Sequence, residues 1–181
     1  AYRRSHGGGS DSTSVSQTSL SGWGEYGEYF HILNIRNVAA TEKLVFLDTC
    51  AAGGTGARAP ARTEIVGKWA NTSNQLDKIR VTNTSAGNYG VGSEVVVLGC
   101  DDDEADSGTN FWTEVAHTKL TSASSTLSTG TFTTKKYLWY QISFPSASGT
   151  ADLTMQNGNG TIDTGSNYHM KYNCDGGSQG S

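Results

Sequence analysis

The strongest constraint in this sequence is a two-residue beat. In "KKYLWYQISF" (135–144), Leu138, Tyr140, Ile142 and Phe144 recur at every second position. That spacing gathers apolar side chains on one face of an extended strand and scatters them around a helix. The beat returns in "EYFHILNIRN" (28–37), where Tyr29, His31, Leu33 and Ile35 oppose Phe30 and Ile32. It returns again in "NQLDKIRVTN" (74–83), where Leu76, Lys78 and Arg80 oppose Asp77, Ile79 and Val81. "ADLTMQN" (151–157) sets Leu153 and Met155 on one face. Further strands are expected at "TEIVGKW", "SEVVVLGC", "FWTEVAHTKL", "TFTT" and "YHMKYN". "EKLVFLDTC" is apolar on both faces from Leu44 to Leu47, the pattern of a central strand covered on two sides.

Turn-forming residues punctuate these runs. "CAAGGTGARAPAR", "TSAGNYGVG", "DDDEADSGTN", "PSASGT" and "NGNGTIDTGSN" read as loops, and "TSASSTLSTG" reads as a polar connector. One helical turn is allowed around Asn71 to Leu76. The result is about ten short strands with turn signals at roughly 8–12-residue intervals and no helical period. This predicts an all-β fold, an antiparallel β-sandwich of jelly-roll-like type. The abundance of Ser, Thr, Val, Tyr and Trp beside only 17% charged residues suits pleated, half-buried strands. At 181 residues the chain is the size of one ordinary domain.

Several function classes are disfavoured. A net charge of -4 does not provide the Lys/Arg footprint that phosphates require, so no nucleic acid is expected. Apolar stretches such as Val95 to Leu98 are far below the roughly 20 residues of a membrane span, so no membrane insertion is expected. The polar, Gly-rich start lacks a signal-peptide pattern. Cys50, Cys100 and Cys174 form no C-x-x-C, which disfavours zinc or redox chemistry. They are expected to be small buried thiols, with a single disulfide as the open alternative.

Catalytic motifs are equally sparse. His6, His31, His117 and His169 belong to no H-E-x-x-H, and no G-x-S-x-G elbow exists. The run from Asp101 to Asp106 lacks EF-hand spacing and reads as a solvated turn. Glu25 and Glu28 are close enough in sequence to raise glycoside hydrolysis, but they lie in a Gly-rich aromatic loop with no sign of a substrate. "GGTGARAPAR" (53–62) is not a phosphate loop. The sequons at Asn71, Asn83 and Asn159 fit chance in an Asn- and Thr-rich chain. No catalytic residue, metal ligand or cofactor is therefore assigned. Aromatic residues leave one binding alternative, since Trp23, Tyr26, Tyr29 and Trp69 could offer flat faces to sugar rings. Its candidate glycan-binding set is Trp23, Tyr26 and Trp69.

The two ends of the chain are alike. Aligned without gaps, Gly8-Gly9-Ser10 meets Gly176-Gly177-Ser178, and Arg3 meets Lys171. Self-similarity at a fixed spacing marks repeated units, here of whole-domain length. Residues 1–22 then read as a polar arm or the end of a preceding unit. Residues 23–181 read as the sandwich, with halves of about 23–108 and 109–181.

The segments "EIVGKWANTSNQLDKIRV", "GSEVVVLG", "NFWTEVAHTKL", "LSTGTFTTKKYLWYQISF" and "SNYHMKYNCDGGS" resemble jelly-roll-like structural repeat proteins of marine tailed viruses, associated with capsid, tail or fibre. The resemblance covers most of residues 23 to 178, with the order of segments rotated. It implies a module that is either circularly permuted within one chain or swapped between copies. The function it implies is that of a non-enzymatic structural protein of a virion or extracellular filament. Its partners would be other copies of itself or other virion proteins. In the alternative, it is a glycan-binding module facing host surface glycans.

Overall fold

The computed structural model describes residues 2–3, 16–22, 28–51, 61–101, 112–145 and 153–174. No helix occurs among them. The strands are β1 (Tyr2–Arg3), β2 (Leu20–Gly22), β3 (Tyr29–Arg36), β4 (Lys43–Ala51), β5 (Ala61–Trp69), β6 (Lys78–Thr82) and β7 (Glu94–Cys100). They continue with β8 (Thr113–Lys119), β9 (Thr126–Thr131), β10 (Tyr137–Phe144), β11 (Leu153–Asn159), β12 (Thr161–Ile162) and β13 (Tyr168–Cys174).

Two sheets enclose one core, which makes the fold a β-sandwich. The larger sheet runs β1-β13-β5-β4-β3-β10-β7-β8. The smaller runs β9-β6-β11-β12, with β2 also paired to β11. The pairing is antiparallel except where Tyr2 and Arg3 lie parallel to Lys171 and Tyr172. The two ends that look alike in sequence thus lie side by side. The consecutive strands β3, β4 and β5 form a meander at the centre of the larger sheet. Strand β10 enters between β3 and β7, so residues from both halves of the sequence interleave. Residues 20–22, within the segment read as an arm, lie in the smaller sheet.

The two-residue beat decides what is buried. Leu33 and Ile35 of β3, Val45 and Leu47 of β4, and Leu138, Tyr140, Ile142 and Phe144 of β10 all point inward. They meet Leu20, Ile79, Val81, Leu127, Leu153 and Met155 from the smaller sheet in one cluster. Fully burying a side chain of this size contributes about 1.5–3 kcal/mol.

The structure departs from the sequence expectations at several places. The polar connector "TSASSTLSTG" contains β9, which pairs with β6 and buries only Leu127. An edge strand held by backbone hydrogen bonds needs little apolar patterning, so the beat is too sparse to read. The loop "NGNGTIDTGSN" contains the tight hairpin of β11 and β12. Gly160 has φ +68°, and a Cβ on Gly158 would lie 2.0 Å from the Thr161 carbonyl oxygen. These glycines mark a close backbone approach rather than an open loop. "TFTT" leaves the sheet after Thr131, and Phe132 is buried with its N–H donated to the Asp77 carbonyl. No helical turn forms at Asn71; its side-chain oxygen instead accepts from the N–H groups of Ser73 and Asn74. Strand β4 is central in its sheet, but Leu44 and Phe46 are exposed rather than covered.

Two polar ties lock the layers. Asn37 is fully buried at the end of β3. Its Nδ2 donates to the carbonyls of Leu76 and Lys135, at 2.8 and 3.0 Å. Its Oδ1 accepts from the Leu76 N–H at 2.6 Å. One amide thereby fastens the segments that lead into β6 and β10. The second tie is the Tyr168 hydroxyl on β13. It accepts from the Asn157 N–H at 2.8 Å and lies 2.9 Å from the Asn157 carbonyl. Asn157 falls in the gap between the partners of β11, where β2 has ended and β12 has not begun. The hydroxyl therefore joins the two sheets, satisfies the Asn157 N–H and shares the Asn157 carbonyl with the Asp163 N–H.

Asn37→Ala removes three hydrogen bonds, two of them buried, and strands their backbone partners. The expected loss is about 2–4 kcal/mol of unfolding free energy, read by urea denaturation.

Candidate functional site

Because β-strands alternate, the residues between the core positions of β3, β4, β5 and β10 form the outer face of the larger sheet. That face is unusually apolar. Leu44 is 50%, Val66 45%, Phe30 39% and Phe46 38% exposed. Strand register fixes their arrangement. Val66, Phe46, Asn34, Trp139 and Leu98 lie opposite one another in a single row across five strands. On one side of that row lie Lys68, Leu44, Arg36 and Tyr137. On the other lie Glu64, Asp48, Ile32, Gln141 and Val96.

A groove of about 490 Å³ opens on this face. Leu44, Phe46, Val66, Trp112 and Tyr137 line it, with Asn34 and Arg36 beside them, and its surface is almost wholly apolar. At its rim the Lys136 ammonium lies 5.5 Å from the centre of the Tyr137 ring. Lys68 donates to both Glu42 carboxylate oxygens at 2.7 Å. Contiguous apolar surface of this kind marks an interaction site more often than solvated surface.

A second groove, of about 510 Å³, lies on the outer face of the smaller sheet. It is lined by Thr18, Ser19, Arg80, Thr82, Thr84, Thr126, Thr154 and Gln156. Cross-strand pairing sets Thr126, Thr82 and Thr154 in line, with Arg80 donating from Nε to the Gln156 side-chain oxygen at 3.1 Å. Gln156 in turn donates to the Thr18 carbonyl at 3.0 Å.

Among the described residues, those singled out in the sequence do not assemble into one site. Trp69 is only 1% exposed, so it offers no face to a sugar. Its indole N–H donates to Asp163 at 2.7 Å, and the Lys43 ammonium lies 6.0 Å from its ring centre. Hydrogen bonds from Trp69, Asn167 and Gly165 outweigh burial and hold the Asp163 carboxyl below its usual range. Lys43 is itself buried, donating to the Thr41 and Asn71 carbonyls, and desolvation lowers its pKa. Tyr29 is also interior. Trp23, Tyr26, Glu25 and His6 lie outside the described residues, as do Asp102 to Asp106. Asp101 accepts from the Lys136 N–H at 2.6 Å and pairs with Lys135 at 3.3 Å. Cys100 is buried as expected, whereas Cys50 is exposed rather than buried because it falls on an outward position of β4. His117 is exposed beside Glu94, and His169 accepts from the Ser16 N–H. Among the described residues, no three His, Cys, Asp or Glu side chains gather as metal ligands. No helix among them is long and apolar enough to cross a membrane.

No family model, curated protein or solved structure matches the chain.

His31 lies in the core. It is buried between Tyr29, stacked at 6.0 Å, and Phe144, edge-on at 5.6 Å. Its Nδ1 lies 2.7 Å from the Thr49 hydroxyl, and Nε2 has no partner. Burial lowers its pKa to about 3. The folded state therefore holds His31 neutral while the unfolded chain takes up a proton below its ordinary value of 6.5. Stability is full above pH 6.5 and falls as the pH drops toward about 3. Between pH 6.5 and 5 the loss should be on the order of 2 kcal/mol. Urea melts at the two pH values should show a smaller difference in His31→Gln than in the natural chain.

Proposed function

We propose that the chain is a non-enzymatic structural module of a virion or extracellular filament, assembling as repeated β-sandwich copies. The observation that carries this reading is the exposed Phe30, Leu44, Phe46 and Val66 face on the larger sheet. Leaving such side chains in water forgoes about 25 cal/mol for each Å² of apolar surface, which a partner can recover. The resemblance of the segments to structural repeat proteins of marine tailed viruses supports the same reading. So does the polar, weakly charged composition, which suits wet lateral contacts between copies. Expected partners are further copies or other virion proteins, in a virion or extracellular setting. The jelly-roll-like character, the arm role of residues 1–22 and the absence of catalysis belong to this proposal.

The polar groove of the smaller sheet supports a second reading, a glycan-binding module. Its hydroxyls and the Arg80 guanidinium could bond to the hydroxyl and acidic groups of a sugar. In this reading the contact surface moves from Trp69 to Arg80 and Gln156. Glycan-array binding that disappears in Arg80→Ala would favour it.

The structural reading predicts concentration-dependent association in sedimentation velocity. The Leu44→Ser/Phe46→Ser variant should remain folded, because both side chains are solvent-exposed, and should lose that association. A natural chain that stays monomeric at its highest soluble concentration would contradict it.

A further inference from the structure

We propose that the polar groove of the smaller sheet binds a sugar that carries a carboxylate, with Arg80 clasping the acid group. This inference rests on the glycan-binding reading above and adds the chemical class that the groove selects.

The charge of this face is set by sequence and register. Ile79, Val81, Leu127 and Met155 point into the core, so their strand neighbours point outward. The outward rows are Ser128–Arg80–Gln156 and Thr126–Thr82–Thr154, and Lys78 lies opposite Gly158 in the row beyond Arg80. None of the described strands of the smaller sheet contains an Asp or a Glu. Asp77, next to Lys78 in the chain, is buried, and its carboxylate accepts from the Gly160 N–H at 2.8 and 3.0 Å. The chain carries a net charge of -4, yet this sheet presents Lys78 and Arg80 with no acid among its strands.

Arg80 is oriented without being neutralised. Its Nε and Nη2 both donate to the Gln156 side-chain oxygen. The Gln156 amide nitrogen donates in turn to the Thr18 carbonyl at 3.0 Å, which fixes the amide's direction. Gln156 is uncharged, so it holds the guanidinium in place and leaves its positive charge intact. Of the five guanidinium N–H groups, the two on Nη1 and one on Nη2 remain. The Nη1–Nη2 edge offers two N–H groups in one plane, the match for the two oxygens of a planar carboxylate. Around it stand the exposed hydroxyls of Ser19 and Thr84 and the half-buried one of Thr126, placed for the hydroxyls of a sugar ring. The groove's 510 Å³ falls in the usual range for a small-molecule site, roughly 300–1,000 Å³. No aromatic ring lines it, so a neutral sugar would gain only hydrogen bonds that water already supplies. Charge-assisted bonds are about twice as strong as neutral ones, so the acid group decides the affinity.

Titration of the full chain on a glycan array tests this. The array carries glycans ending in N-acetylneuraminic acid or galacturonic acid, their neutral parents, and sulfated sugars. The natural chain should bind the carboxylated glycans at least about tenfold more tightly than the neutral parents, and the difference should shrink as salt is raised. Arg80→Gln should abolish the preference. Gln156→Glu should weaken carboxylate binding by at least about tenfold, because it keeps an acceptor beside Arg80 and cancels its charge. Thermal melts of both variants establish that they are folded. If both bind carboxylated glycans as well as the natural chain does, the groove is not the site. If the natural chain prefers sulfated sugars, the carboxylate assignment is overturned. If neutral parents bind as tightly as the acids, the acid selectivity is overturned and the glycan-binding reading stands. If no sugar on the array binds, both fall.

Discussion

A β-strand presents side chains to two sides, whereas a two-layer sandwich has only one interior. Everything distinctive here follows from how the second side is used. In β3, β4 and β10 the inward positions are mostly apolar, and one core results. The outward positions would ordinarily be polar, because antiparallel sheets can face water on one side. Here Leu44, Phe46 and Val66 occupy them. Their presence makes sense once the outer face is treated as a second, unfinished interior.

The polar groups inside the sandwich serve a different purpose. Apolar contacts are non-directional and tolerate sliding of one layer over the other. Asn37 and the Tyr168 hydroxyl are directional and bond to backbone at fixed positions. They hold the approach of the smaller sheet to the larger. Trp69, Asp163 and Lys43 form a third such group at the same end of β5. Its ammonium is stabilised by carbonyl oxygens and an aromatic ring.

Most of the architecture was legible because period two is a strong signal where both partners of a strand are present. "KKYLWYQISF" and "EYFHILNIRN" show this, since every second residue of each lies inside. The signal fades at edges. β9 buries Leu127 alone, and β12 is two residues long, so neither carries a readable pattern. The candidate face was half legible. The apolar run from Leu44 to Leu47 showed that both sides of β4 are hydrophobic, but sequence cannot say whether an outer layer of the same chain exists. Trp69 shows the converse limit. A tryptophan suits a sugar platform or a core equally well, and its burial depends on Asp163, distant in sequence but within bonding reach of the indole.

The placement of β10 carries a consequence for how the chain reaches this state. Strands β3 and β7 do not touch along their length; β10 separates them and pairs with both. Residues 137–144 come more than half the chain later than residues 29–36. Until they arrive, the meander of β3 to β5 and the strand β7 each present an open hydrogen-bonding edge flanked by apolar side chains. Such edges recruit other chains as readily as their proper neighbour. On a ribosome, the sheet cannot close until most of the polypeptide has emerged, and closure then waits on long-range search rather than local zipping. Folding of this module is therefore expected to be slow and sensitive to crowding by its own unfinished copies.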